Sequence, residues 1–152
     1  MSEFGIHADQ VAELVVRVYE LHEVAISDSG GMEGLRDSAM LHAAVARPFA
    51  SFDGVDLYMG DFEKAAALFH SLIKSHPFMD GTKRTAFLSA LYFLSNRGYS
   101  LPDHFPKDEV IRFCLAVAEE NAQQFENTAF QPMTVAEIAA WFRQLLASLD
   151  PT

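Results

Sequence analysis

The chain predicts an all-α fold carrying one small β-hairpin near residues 27–36, on three observations. Apolar residues recur at spacings of three and four, capping residues and Gly or Pro stops punctuate those stretches, and no segment sustains period-two alternation. Half of the 152 residues are hydrophobic, enough for one buried core without a metal or disulfide, so residues 1–152 read as a single domain.

Each element has its own signal. Residues 8–26 set Val11, Leu14, Val15, Val18 and Leu21 on one stripe of an amphipathic helix, which stops before the turn-forming run Ser27-Asp28-Ser29-Gly30-Gly31. Residues 27–36 are too rich in Gly for a good helix and read as an exposed loop or hairpin. Asp37 caps a short helix to about Arg47, ended by Pro48. Residues 48–60 read as irregular, with Gly54 and Gly60 as punctuation. Asp61 caps a helix from Phe62 to about Ser75 whose Ala65, Leu68, Phe69, Leu72 and Ile73 face inward. After Pro77 a new helix begins at Gly81 or Thr82, runs through Leu94 and meets Gly98 as its stop. Pro106-Lys107-Asp108-Glu109 opens another, with acids where the helix dipole favours them. Thr134-Val135-Ala136-Glu137 is a capping box for a last helix through about Ser148, anchored by Trp141.

Charge narrows the function. A net charge of −10 argues against direct nucleic-acid binding, since phosphate contacts need basic surface. Yet residues 74–97 hold Lys74, Lys83, Arg84 and Arg97 against Asp80 alone, a window of +3 in a remainder of −13, which suits a small polyanion. The one cysteine, Cys114, lies in an apolar run and reads as a structural thiol. No apolar stretch approaches the roughly 18 residues that span a bilayer, and the start of the chain lacks the pattern of a secretory signal; the expectation is a cytoplasmic protein with no membrane contact.

The chemistry concentrates in His76-Pro77-Phe78-Met79-Asp80-Gly81-Thr82-Lys83-Arg84, on a loop that runs into the start of a helix. Unpaired backbone N–H groups and the dipole make a helix N-terminus an anion site, and Gly81 lets phosphate oxygens approach the backbone. Lys83 and Arg84 sit on that first turn, where the dipole alone disfavours cations, so both call for an anion. Asp80 suits Mg²⁺, which takes one or two protein carboxylates and completes its shell with phosphates and water. His76 is placed to take a proton from an attacking hydroxyl. Phe78 reads as a buried anchor for the loop. His22, His42, His70 and His104 form no metal-ligand pattern, which makes a His-rich metal hydrolase a poor reading.

The stretch HPFMDGTKRTAF, residues 76–87, resembles the signature of the Fic/Doc superfamily, His-x-Phe-x-Asp/Glu-Gly/Ala-Asn-Gly/Lys-Arg. Lys83, where adenylylating Fic enzymes carry Gly, resembles the Doc (death-on-curing) branch, and Phe87 replaces the last Arg of the longer Fic pattern. The resemblance extends to SGGMEGLRDSAMLHAAVARP, residues 29–48, similar to the flap and following helix of Doc toxins, and to LYFLSNRGY, residues 91–99. It implies a Fic/Doc-type helical bundle that binds ATP with Mg²⁺. It further implies a Doc-like toxin that transfers the γ-phosphate to a hydroxyl of a target protein of the elongation factor Tu type, arresting translation. Carried over, His76 is the general base, Asp80 the Mg²⁺ ligand, and Gly81, Thr82, Lys83 and Arg84 the phosphate cradle; the partner is an antitoxin protein.

Thr82 stands where the family has Asn, exchanging an amide donor for a shorter hydroxyl. The resemblance leaves two alternatives: a Fic-type AMP transferase, since Fic relatives usually transfer AMP, and a non-catalytic binding module with the Fic fold, which the change to Thr82 favours. Ser29 to Gly34 formally matches the Ser/Thr-x-x-x-Glu-Gly/Asn pattern of Fic self-inhibition, but that motif works from a helix, which Gly30-Gly31 opposes.

Overall fold

A computed structural model of the chain describes residues 3–148, and among them seven α-helices and one two-stranded sheet. The helices are α1 (Glu3–Ser29), α2 (Ser38–Ala46), α3 (Asp61–Ser75), α4 (Thr82–Asn96), α5 (Lys107–Ala118), α6 (Glu120–Glu126) and α7 (Val135–Ser148). Helix α3 is the axis. Its Ala65, Ala66, Ala67, Leu68, Phe69 and Leu72 are all fully buried, and α2, α4, α5 and α7 pack around it while α1 lies against α4. Alanine on three successive positions lets neighbouring helices approach α3 from more than one side. Phe69, Phe87, Phe113, Trp141 and Phe142 then fill the space between α3, α4, α5 and α7, with Phe113 stacked on Trp141 at 3.8 Å between ring centroids.

Several termini follow the sequence closely. Asp37 accepts the Met40 N–H at 3.1 Å and so caps α2. Thr134 and Glu137 form the reciprocal capping box, which holds the Glu137 carboxyl below its usual range through the Thr134 N–H. Gly98, at φ 95°, ends α4 as the Tyr99 N–H reaches Leu94 O and its own N–H reaches Ser95 O.

The structure departs from the sequence expectations at four points. The two-stranded hairpin is not near residues 27–36 but at β1 (Ser51–Phe52) and β2 (Val55–Asp56), joined by Asp53 and Gly54, both at positive φ. Asp-Gly between paired residues is the strongest short hairpin signal, because both turn residues must adopt left-handed backbone. Lys64, buried on α3, ties this hairpin down through Asp56 and the carbonyl of Tyr58. Second, α1 runs through Ser29 rather than stopping near residue 26, because Gly30 at φ 77° closes it with its N–H on Ile26 O at 2.8 Å. Third, Gly60, not Asp61, occupies the cap of α3; Asp61 is the first helical residue and its carboxylate accepts Arg97 and Tyr99, each at 3.2 Å. Fourth, α6 went unforeseen: ENAQQFE carries no apolar period, and its buried residue is Glu120, whose carboxylate pairs with Lys74 at 2.8 Å and accepts the Met133 N–H.

Candidate active site

The loop of residues 76–81 joins α3 to α4, and two other segments hold it. His76 sits at the C-cap of α3 in left-handed backbone (φ 50°, ψ 61°), which a non-Gly residue adopts at a cost of about 1 kcal/mol or more. What enforces that conformation is Arg36. Its Nε donates to His76 O at 2.8 Å and its Nη2 to Ser75 O at 2.7 Å, satisfying the last carbonyls of α3. The backbone N–H groups of Arg36 and Asp37 both reach Pro77 O, Leu35 bridges to Phe78, and the Met79 N–H reaches Gly34 O. Residues 32–37 thus form a strap along the loop.

The loop's own side chains are set by these contacts. Nδ1 of His76 lies 3.0 Å from Phe78 O, and since a carbonyl can only accept, Nδ1 carries the hydrogen and Nε2 is left with its lone pair. Oγ1 of Thr82 lies 3.2 Å from the same Nδ1, and Thr82 is buried. Asp80 is exposed; its Oδ2 accepts the Met32 N–H at 3.2 Å and its Oδ1 the Gly81 N–H at 2.9 Å. These two bonds, Met32 first, hold its carboxyl below the usual carboxylate range, and Arg84 and Lys83 add to the effect. Gly81 takes the N-cap of α4 at φ 74°, and no side chain caps that end.

Helix α1 backs the turn. His22 is buried, lies flat on Phe78 with ring centroids 3.9 Å apart, and donates from Nε2 to Asp80 O at 2.7 Å. Arg84 donates to Ala25 O and Gly30 O, each at 3.2 Å, so it closes the end of α1 while further guanidinium N–H groups remain for a ligand. Lys83 is exposed and borders an apolar groove of about 360 Å³ between the end of α1, α4 and α5, lined by Ala25, Phe87, Leu88, Val110, Ile111 and Leu115. The positive window read from residues 74–97 is smaller in space: Lys74 turns to Glu120 and Val117 O, and Arg97 to Asp61. Arg36, outside that window, is the cation next to His76.

All six site residues expected from the sequence therefore gather at one turn, with His76 and Thr82 in direct contact and Asp80 beside Gly81. Sequence reasoning missed Arg36 and His22 as members. His22 follows Val18 by four residues, on the apolar stripe of α1, a position that marks a polar group due to be buried and bonded. No comparable signal announces Arg36.

A mostly helical frame that presents an oriented imidazole, an ionised carboxylate and a glycine-led helix N-terminus on one loop defines a domain suited to handling an anion beside a base. The chain belongs to the Fic/DOC family: the model of that family matches residues 15–94. Among curated proteins it is similar to "Toxin Doc" of Mycolicibacterium smegmatis, 47% identical over 79 residues, covering 52% of this chain and 61% of that protein. It is also similar to "Protein kinase doc" of Escherichia phage P1, 35% identical over 86 residues, covering 55% of this chain and 65% of that protein. Both matches span less than two-thirds of the relative's length. Among the described residues no helix is long and apolar enough to cross a membrane.

Proposed function

We propose that this chain is a Doc-type toxin that transfers the γ-phosphate of ATP to a hydroxyl of a target protein, of the elongation factor Tu type, and so arrests translation in the cytoplasm until an antitoxin binds it. The observation that carries this reading is the 3.0 Å contact of His76 Nδ1 with Phe78 O: it favours the tautomer with the hydrogen on Nδ1, in which Nε2, on the far side of the neutral ring, is the basic nitrogen. Nε2 takes the proton as the acceptor oxygen bonds to the γ-phosphorus and the bond to the bridging oxygen breaks, releasing ADP. The catalytic work in such a transfer is positioning and charge stabilisation.

The residues present fit a magnesium nucleotide. Asp80 is exposed and ionised, and each oxygen accepts one N–H, which leaves lone pairs for a hard cation. When bound, Mg²⁺ neutralises phosphate charge. The first turn of α4, which Gly81 opens without a side chain in the way, offers backbone N–H groups to phosphate oxygens, and Arg84 and Lys83 add cationic donors. An antitoxin segment with apolar side chains fits the groove between α4 and α5.

The test is a labelling reaction with purified protein, Mg²⁺ and cell extract, run in parallel with γ-labelled and α-labelled ATP and with His76→Ala as control. Label from the γ-position, lost in the variant, is the expected result. Label from the α-position makes the protein an AMP transferase, and none from either makes it a binding module. Thr82→Asn, run in the same assay, should raise nucleotide binding or rate; no gain in either shows that the hydroxyl against His76 suffices.

A further inference from the structure

We propose that His22, on α1, is a positioning residue that holds the Asp80–Gly81 turn in the geometry the site requires. Its role rests on the functional reading above only in what the turn is for. Two contacts and the tight space around Gly81 place it. The imidazole lies parallel to the Phe78 ring, with an interplanar angle of 7° and 3.9 Å between centroids. Its Nε2 donates to the backbone oxygen of Asp80 at 2.7 Å, across 58 residues of sequence. A Cβ built on Gly81 would stand 3.0 Å from Ile26 Cδ1 and 3.8 Å from His22 Cδ2, so α1 forms the back wall of the turn.

A purely structural reading would make His22 a space-filling core residue. Packing alone does not call for an imidazole: a buried polar ring among apolar neighbours is stabilised by its bond, and this bond goes to the one residue whose carboxylate faces the proposed cation. The peptide oxygen of Asp80 points inward to His22 while its carboxylate points outward to the Met32 and Gly81 N–H groups. Holding the first fixes the direction of the second.

The experiment compares His22→Phe, which keeps a flat ring on Phe78 but removes the donor, with His22→Gln, whose amide still donates at a similar reach. Amide hydrogen exchange of the full chain is read by NMR without nucleotide, followed by MgATP turnover. In His22→Phe the Met32 and Gly81 amides, which bond the Asp80 carboxylate, should exchange about tenfold faster while amides of α3 and α7 keep their rates, and His22→Gln should restore most of the protection. Turnover should fall about tenfold in kcat/KM in His22→Phe and recover in His22→Gln. Unchanged exchange at Met32 and Gly81 in His22→Phe overturns the proposal, as does equal acceleration throughout the core or a failure of His22→Gln to rescue. If the wild-type chain transfers no phosphate, the functional reading falls while the exchange data still decide the role of His22. Should His22→Phe not fold, His22→Met against His22→Gln makes the same comparison at matched length.

Discussion

Replacing Arg36 by Ala removes both side-chain bonds at the end of α3, to Ser75 O at 2.7 Å and His76 O at 2.8 Å. A hydrogen bond from a charged donor contributes about 1.5–3 kcal/mol when buried, but Arg36 is exposed and water can take over the freed carbonyls, so the loss should be about 1–2 kcal/mol in total. At roughly 2–4 °C per kcal/mol for a domain near this length, the Tm should drop by about 2–8 °C. The larger effect is local. Without the Arg36 side chain the loop keeps only its backbone bonds to the strap, and relaxation of His76 toward the right-handed region carries the imidazole off Phe78 O. Calorimetry reads the first effect; the second appears as a shift of the His76 ring resonances and a fall in the proposed transfer of about tenfold or more. Arg36→Lys should recover only part, since an ammonium cannot match the planar fork. A variant Arg36→Ala with unchanged Tm and an unaltered His76 ring environment would refute the Arg36 side chain as the group that keeps the imidazole on Phe78 O.

Two further outcomes follow from groups outside the loop. Burial first, then the charges of Arg47 and Lys74, push the His70 imidazole down to about 4, and its Nδ1 accepts Arg47 at 2.7 Å. The unfolded ring, near 6.5, binds its proton first, so this contribution is complete above pH 6.5 and is lost as pH falls from there toward 4. Screening at a part-exposed ring limits it to about 1–2 kcal/mol. His70→Asn, which still offers Arg47 an acceptor, should flatten the stability profile in that window; an identical slope would show that other groups carry it. Burial also pushes the Cys114 thiol up to about 12, so a thiol reagent at about pH 8 should label the protein only once it is denatured. Stoichiometric labelling of the folded chain would mean that the α4–α5 groove opens far enough to admit the reagent.

Helices whose signals are local were legible in the sequence. Asp37, the Thr134–Glu137 box and Gly98 act through hydrogen bonds to residues within five positions, and each does in the structure what its residue type predicts. The hairpin at 51–56 was legible in principle from Asp53-Gly54 between Phe52 and Val55, but with strands of two residues the alternation is too short to register. The Gly-rich stretch near residue 30 drew the expectation instead, although Gly30 ends a helix and Gly34 serves the strap. Within the site, the motif from His76 to Arg84 marked the turn itself. What it could not mark was support from elsewhere: Arg36 reads as an ordinary surface cation and His22 as one polar residue on an apolar stripe. Lys74 and Arg97 erred the other way, since summing charge along a window cannot show that Glu120 and Asp61 have already claimed them.

The strap and the back wall of α1 join the loop across long stretches of chain: Arg36 to His76 spans 40 residues, Met32 to Asp80 spans 48, and Arg84 to Ala25 spans 59. Closing loops of that size costs entropy that the contacts must return. On a ribosome, α1 and the strap emerge well before α4, and the constellation cannot assemble until α4 has been made and docked. Segment 76–87 as a free peptide would hold every residue of the motif without the contacts that set their geometry. For a protein of the proposed kind this amounts to a delay built into synthesis, in which the chain becomes competent only as its last supporting contacts close.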